Sequence, residues 1–162
     1  MAQVPEFAAA ADPPERCLPS RHYSGYLDIS EERDESKMLH YWFVEAEQVD
    51  PSTAPVTLWL NGGPGCSSMD GFFYEMGPLH VNDRDFTKLE HNPHAWTTIS
   101  NMIYLEAPVG VGFSYHTLGE NMPSINDNST AAMNYMGLKR FFEAFDEYKH
   151  NDLYLSGESC EL

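Results

Sequence analysis

Basic side chains are scarce. Nine lysines and arginines face 25 aspartates and glutamates, for a formal net charge of −16 over 162 residues. A chain this acidic has no cationic face for phosphates, which excludes nucleic acid as a partner and argues against anionic membrane surfaces. The balance suits a protein that works at acidic pH, where protonation relieves the self-repulsion, and it suits a generally acidic soluble protein equally well. Cysteine is also sparse. Cys17, Cys66 and Cys160 stand far apart, no two at metal-ligand spacing, so no metal site is expected, and the odd count leaves at least one thiol unpaired within these residues. No apolar run reaches the length needed to span a bilayer, so no membrane insertion is expected. Residues 1–12 lack the basic start and apolar stretch of a signal peptide. Asn128-Ser129-Thr130 is nonetheless a glycosylation sequon, a weak pointer to the secretory route.

The length allows one domain with a true core. Residues 1–20 are rich in Ala and Pro without periodicity and read as a loose arm, leaving 21–162 as the domain. Strands are expected at 22–29 and 38–45, forming a hairpin, then at 56–60, 99–106 and 153–156. A short helix is expected within 66–76 and little regular structure over 80–96. The longest helix is expected over 129–149. Ala131, Tyr135, Leu138, Phe142 and Phe145 would form its apolar stripe, Asn128, Ser129 or Thr130 its cap, and Lys149 and His150 would sit at its negative end. A hairpin followed by strands alternating with helical segments predicts an α/β fold with a mainly parallel sheet.

Two stretches carry chemistry. The buried-looking run Val56-Thr57-Leu58-Trp59-Leu60 stops at Asn61-Gly62-Gly63-Pro64-Gly65. Such a cluster reads equally as a tight turn or as a loop whose free N–H groups await a developing oxyanion. The second stretch, Gly157-Glu158-Ser159, directly follows a strand and matches the first half of a nucleophile elbow. Such enzymes take one oxyanion donor from the residue after the serine and the other from the loop after the third strand, which is where Gly62-Gly63 falls. Glu158 and Glu75 add two carboxyl groups. If brought into one site they cannot both ionise cheaply, and a protonated one can donate to the carboxylate of a peptide C-terminus. Taken alone, Glu75 reads more readily as a solvated helix residue.

Three motifs together resemble the serine carboxypeptidase family, peptidase family S10. They are Leu58-Trp59-Leu60-Asn61-Gly62-Gly63-Pro64-Gly65-Cys66-Ser67-Ser68, Tyr104-Leu105-Glu106-Ala107-Pro108-Val109-Gly110-Val111-Gly112-Phe113-Ser114-Tyr115, and Leu155-Ser156-Gly157-Glu158-Ser159. Tyr23-Ser24-Gly25-Tyr26-Leu27 and Leu39-His40-Tyr41-Trp42-Phe43-Val44-Glu45 look nearest to its animal lysosomal branch. The resemblance covers about residues 22–159 in register. It implies the N-terminal half of an α/β-hydrolase fold and removal of C-terminal residues from peptides in a lysosome or vacuole, or after secretion. It implies no cofactor or metal, and it allows a homodimer of the full-length protein. By the same resemblance Ser159 matches the nucleophile, and the N–H groups of Gly63 and Cys160 match the oxyanion donors. Asn61, Gly62, Glu75 and Glu158 match the positions that bind the substrate carboxylate, and Trp59 a residue that supports them. Cys66 matches a cysteine whose disulfide partner lies outside this chain. Asn128 lies close to a family glycosylation region, displaced by two residues.

The match fails at Cys160-Glu161-Leu162, where the family continues with Tyr-Ala-Gly; glutamate at the second position after the serine is bulky for an elbow. All seven histidines precede Ser159, whereas the triad acid and base follow the serine in this fold. The expectation is therefore a fragment, inactive by itself. The alternatives are an acyltransferase on the same scaffold or a short, non-catalytic binding product.

Overall fold

The structure, a computed structural model, describes residues 2–3, 18–31, 36–117 and 124–159. Its strands are β1 (Ala2–Gln3), β2 (His22–Asp28), β3 (Lys37–Val44), β4 (Val56–Leu60), β5 (Leu79–Val81), β6 (Leu89–His91), β7 (Asn101–Leu105), β8 (Tyr115–His116) and β9 (Leu153–Gly157). β5 and β6 form a separate ribbon, and the others make the main sheet in the order β1-β2-β3-β7-β4-β9, with β8 pairing β3 off that path. The sheet is mixed. The β2–β3 hairpin and its junction to β7 are antiparallel, whereas β7, β4 and β9 run parallel. Among the described residues there are two α-helices, α1 (Met69–Tyr74) and α2 (Asp127–Ala144). Ala2–Gln3 pairs with Ser24 and Tyr23, so part of the expected loose arm adds a short strand to the sheet.

Strand pleating explains the layers. All five residues of β4 are buried, because side chains point alternately to two covered faces. Val56, Leu58 and Leu60 join Ile103 and Leu105 under α2, against Met133, Phe141 and Phe145. Trp59 joins Met102 and Tyr104 under α1, against Phe72 and Met76. The chain therefore passes from β4 by way of α1 to β7 on one side, then by way of α2 to β9 on the other. Consecutive crossovers to opposite sides of one strand make a topological switch point, and they open a crevice at the carboxyl end of β4.

The structure corrects three expectations. First, α2 begins earlier than expected. Its cap is Asn126, whose side chain accepts from the Ser129 N–H at 3.1 Å while the Ser129 hydroxyl accepts from the Asn126 N–H at 2.9 Å. Second, its buried face is Thr130, Met133, Asn134, Gly137 and Phe141; of the expected stripe, Leu138, Phe142 and Phe145 do pack against the core, whereas Ala131 is exposed and Tyr135 is 65% exposed. Two stripes of helical spacing run side by side in this sequence. Packing selects the one containing Gly137, where an added Cβ would already stand 3.1 Å from Leu39 and 3.4 Å from Leu105. The helix ends at Ala144, and Phe145 turns inward to stack on Phe141 at 4.7 Å. Lys149 and His150 thus lie beyond a 3₁₀ turn at Asp146–Tyr148, not in the last turn of α2. Third, residues 80–96 are not irregular throughout. β5 and β6 form a small antiparallel hairpin, its turn held by Asp85, which accepts from Thr87 and from the Lys88 backbone N–H. The side chains of β6 are exposed and those of β5 half-buried, so no buried face imprints a period on the sequence.

This packing has two measurable consequences. β9 stands at the end of the sheet order, with Leu153, Tyr154 and Leu155 at 44%, 57% and 67% exposure. An apolar edge strand templates self-association. A polypeptide of these 162 residues is expected to form concentration-dependent aggregates in size-exclusion chromatography, reduced by Leu155→Lys; a monomer with a reversible, cooperative melt would refute this. The second consequence concerns His22. Burial lowers its pKa from 6.5 to about 4, and its Nε2 is buried without a partner among the described residues. Between those values the unfolded imidazole holds a proton that the folded one refuses, so stability falls as pH drops through that window. The loss is about 2 kcal/mol at pH 5. In urea denaturation of the full-length protein, His22→Phe is expected to flatten the fall in stability between pH 6.5 and 4.

Candidate active site

The crevice at the end of β4 is lined from both neighbouring strands. The parallel register pairs Trp59 with Ser156 and Leu60 with Gly157. The Glu158 N–H donates to the Leu60 carbonyl at 3.3 Å and carries the pairing one residue further. Continued past the strand ends, this register sets Glu158 beside Asn61, and Ser159 beside the glycine loop. Ser159 is exposed and has φ +62°. A left-handed serine just past the end of a strand has the strained backbone of a nucleophile elbow, which turns the hydroxyl outward.

Asn61 is buried and its amide is fully oriented. The side-chain oxygen accepts from the Trp59 indole N–H at 2.7 Å and from the Gly71 N–H at 3.0 Å. Its amide nitrogen must then face the other way, where it donates to Glu75 Oε1 at 3.1 Å and Glu158 Oε2 at 3.4 Å. One amide therefore gathers two carboxyl groups from distant parts of the chain.

The loop at 61–68 folds back on itself. The Cys66 N–H donates to the Gly62 carbonyl at 3.0 Å. Gly63 is exposed with φ +126°, and among the described residues no backbone carbonyl accepts from its N–H. Ser68 secures the loop from below, donating to the Leu105 carbonyl at 2.7 Å and accepting from the Asn61 N–H at 3.2 Å. The Cys66 thiol is exposed and unpaired among the described residues. Cys160, expected to supply the second oxyanion donor, lies outside the described residues, as does Cys17. Asn128 is exposed in the first turn of α2. Among the described residues no hydrogen bond joins a histidine to Ser159, no group of His, Cys, Asp and Glu could hold a metal ion, and no helix is long and apolar enough to cross a membrane.

Sequence reasoning missed Glu106, which is 1% exposed at the carboxyl end of β7. Its Oε2 accepts from His40 Nδ1 at 3.0 Å and from the Phe113 N–H at 2.8 Å, and its Oε1 accepts from the Ser67 hydroxyl. Burial pushes this carboxyl up, but the donors from His40, Ser67 and Phe113 outweigh it and hold it below the usual carboxylate range. A signal was available: a lone carboxylate ending an apolar strand, immediately before the Ala107-Pro108 turn.

Comparison with known proteins agrees with this geometry. A serine carboxypeptidase family model matches residues 13–160. The Lysosomal protective protein of Mus musculus is 51% identical over 150 residues, covering 88% of this chain and 30% of its own length. Serine carboxypeptidase-like 20 of Arabidopsis thaliana is 46% identical over 149 residues, covering 90% and 29%. Serine carboxypeptidase 1 of Hordeum vulgare is 43% identical over 146 residues, covering 88% and 28%. The chain thus spans just under a third of the length of these curated relatives. With a family match over nearly its whole length and an α/β sheet that ends in a strained serine beside a glycine loop, the chain belongs to the serine carboxypeptidase family.

Proposed function

We propose that these residues carry the nucleophile, one oxyanion donor and the substrate-carboxylate site of a serine-type carboxypeptidase. One observation carries the reading. Asn61, Glu75 and Glu158 share hydrogen bonds at the carboxyl end of β4, one residue from the left-handed Ser159. A peptide whose terminal carboxylate sits on that trio has its last amide bond within a residue's length of the serine. This geometry favours removal of the C-terminal residue over cleavage within a chain.

In the reaction the Ser159 hydroxyl attacks the last peptide carbonyl carbon and gives its proton to a base. The Gly63 N–H and the N–H of Cys160 take the charge that develops on the carbonyl oxygen. The tetrahedral intermediate collapses, the C–N bond breaks, and the terminal residue leaves as an amine carrying the proton. Water then cleaves the acyl-enzyme and restores the serine. The base is a histidine following the serine in chain order, as in related hydrolases, and we assign it to the part of the relatives' length that this chain does not span. Trp59 holds Asn61 in place through its indole N–H. The Asn61, Glu75 and Glu158 cluster is the proposed seat of the substrate carboxylate. Acidic working conditions fit the net charge of −16 and the word lysosomal in the mouse relative's name. Exposed Asn128 is the proposed glycan acceptor and exposed Cys66 a disulfide partner, both consistent with a secretory route.

The test uses the full-length protein recovered from its source or expressed from its complete transcript. A fluorophosphonate is expected to label Ser159, located by peptide mass, and Ser159→Ala to abolish both labelling and release of C-terminal residues. Asn61→Ala is expected to raise KM for peptides at least tenfold while an ester lacking a free carboxylate is still hydrolysed. Transfer of the acyl group to an alcohol in preference to water would instead identify an acyltransferase. A full-length protein with no label at Ser159 would overturn the reading.

A further inference from the structure

The carboxylate of Glu106 lies outside the trio just described, yet it is the most buried acid among the described residues and three segments converge on it. Ser67, at the far end of the glycine loop, donates to Oε1; the Phe113 N–H, from the loop after β7, and His40 Nδ1, from β3, donate to Oε2. The backbone of the loop after β7 is shaped around it. Gly112 has φ +53°, and a Cβ there would overlap Glu106 Oε1. The same loop is tied again through Ser114, which donates to the Glu106 carbonyl at 2.5 Å and accepts from the His40 N–H at 2.8 Å.

Beyond His40 the row continues. Ser24 Oγ lies 2.8 Å from His40 Nε2, so Ser24, His40 and Glu106 have the order and spacing of a serine–histidine–acid triad. Its setting excludes that chemistry. Ser24 sits in the middle of β2, between β1 and β3, with no turn beside it to present oxyanion donors. The row is a strut. Nδ1 of His40 carries the hydrogen it gives to the carboxylate, and Ser24 holds the opposite edge of the ring.

We infer that Glu106 is a positioning residue for the oxyanion site, holding the Gly63 N–H at its distance from Ser159 by anchoring Ser67. The inference rests on the hydrolase reading above. Two successive residues pin the loop to the end of β7, Ser67 through the Glu106 side chain and Ser68 through the Leu105 carbonyl. The loop's free end, Gly63, is exposed and carries no side chain that could hold it. The substrate-carboxylate trio is held mainly from elsewhere, since the Asn61 oxygen is fixed by the Trp59 indole and the Gly71 N–H, and Ser67 reaches α1 only by accepting from the Met69 N–H at 3.1 Å, a bond that does not depend on Glu106. Loosening the Ser67 anchor therefore displaces an interaction made in the transition state and leaves ground-state binding in place.

The test compares kcat and KM of full-length wild type, Ser67→Ala and Glu106→Gln on a peptide substrate. Glutamine cannot accept on both sides, so one donor meets an N–H group. Each variant is expected to lose about tenfold to a hundredfold in kcat, less than complete removal of an oxyanion donor costs, with KM within threefold of wild type. Ser67→Thr, which restores the hydroxyl, is expected to recover most of the kcat lost in Ser67→Ala. If Glu106→Gln does not fold by near-ultraviolet circular dichroism, Ser67→Ala decides. Folded Ser67→Ala with wild-type kcat, or a loss that falls on KM, would overturn the inference while fluorophosphonate labelling of wild-type Ser159 keeps the hydrolase reading intact. A wild type that neither labels nor turns over would overturn both.

Discussion

The site depends on the orientation of one buried amide. Asn61 has an oxygen that accepts twice and a nitrogen that donates twice, and all four partners come from the protein. Reversing the amide would set two N–H groups against its nitrogen and two carboxyl groups against its oxygen. That conflict costs far more than any single neutral hydrogen bond. The orientation is thereby settled by the protein's own groups. It draws Glu75 from the end of α1 and Glu158 from the end of β9 to one point, although the first lies 14 residues from Asn61 and the second 97.

That amide is placed by the central strand. β4 is buried on both faces and flanked on both sides by parallel neighbours. A strand so enclosed has little freedom to slip in register, because a shift of one residue would exchange Leu58 and Leu60 under α2 with Trp59 under α1. Three loops meet at its carboxyl end, after β4, after β7 and after β9. The first brings the glycines and Asn61, the second wraps Glu106, and the third carries Ser159. Rigid strands thus present loops whose conformations, such as the left-handed Ser159, the sheet alone would not favour.

The opposite edge of the molecule is quieter. Glu45 accepts from the hydroxyls of Tyr23 and Tyr148 at 3.0 and 2.9 Å, joining the hairpin to the turn after α2. Glu47 accepts from Thr97 and lies 3.0 Å from His91. These pairs satisfy buried carboxylates far from the crevice, and they explain how so acidic a chain places carboxylates inside itself without loose charge.

Much of the fold could be read along the chain. β4 is legible because five apolar residues run into a glycine cluster, and the β2–β3 hairpin because aromatic residues flank a charged turn. The sharp backbone turn at Ser159 is legible because glycine two residues before a serine at a strand end matches the first half of a nucleophile elbow. The face of α2 was legible only in its second half, where Leu138, Phe142 and Phe145 pack as expected. Tyr135 and Met133 each belong to a stripe of correct spacing, and only the approach of Gly137 to Leu39 and Leu105 chooses between them. The β5–β6 hairpin was not legible, since a ribbon with little buried surface leaves no period. The local order of strands, glycine turns and serine was thus determined by the sequence itself, because propensity and backbone sterics act between near neighbours. The meeting of Asn61 with Glu75 and Glu158, and of Glu106 with His40 and Ser67, was decided by the tertiary structure alone. Strand register and helix packing set those distances, and neither is a property of any short stretch of chain.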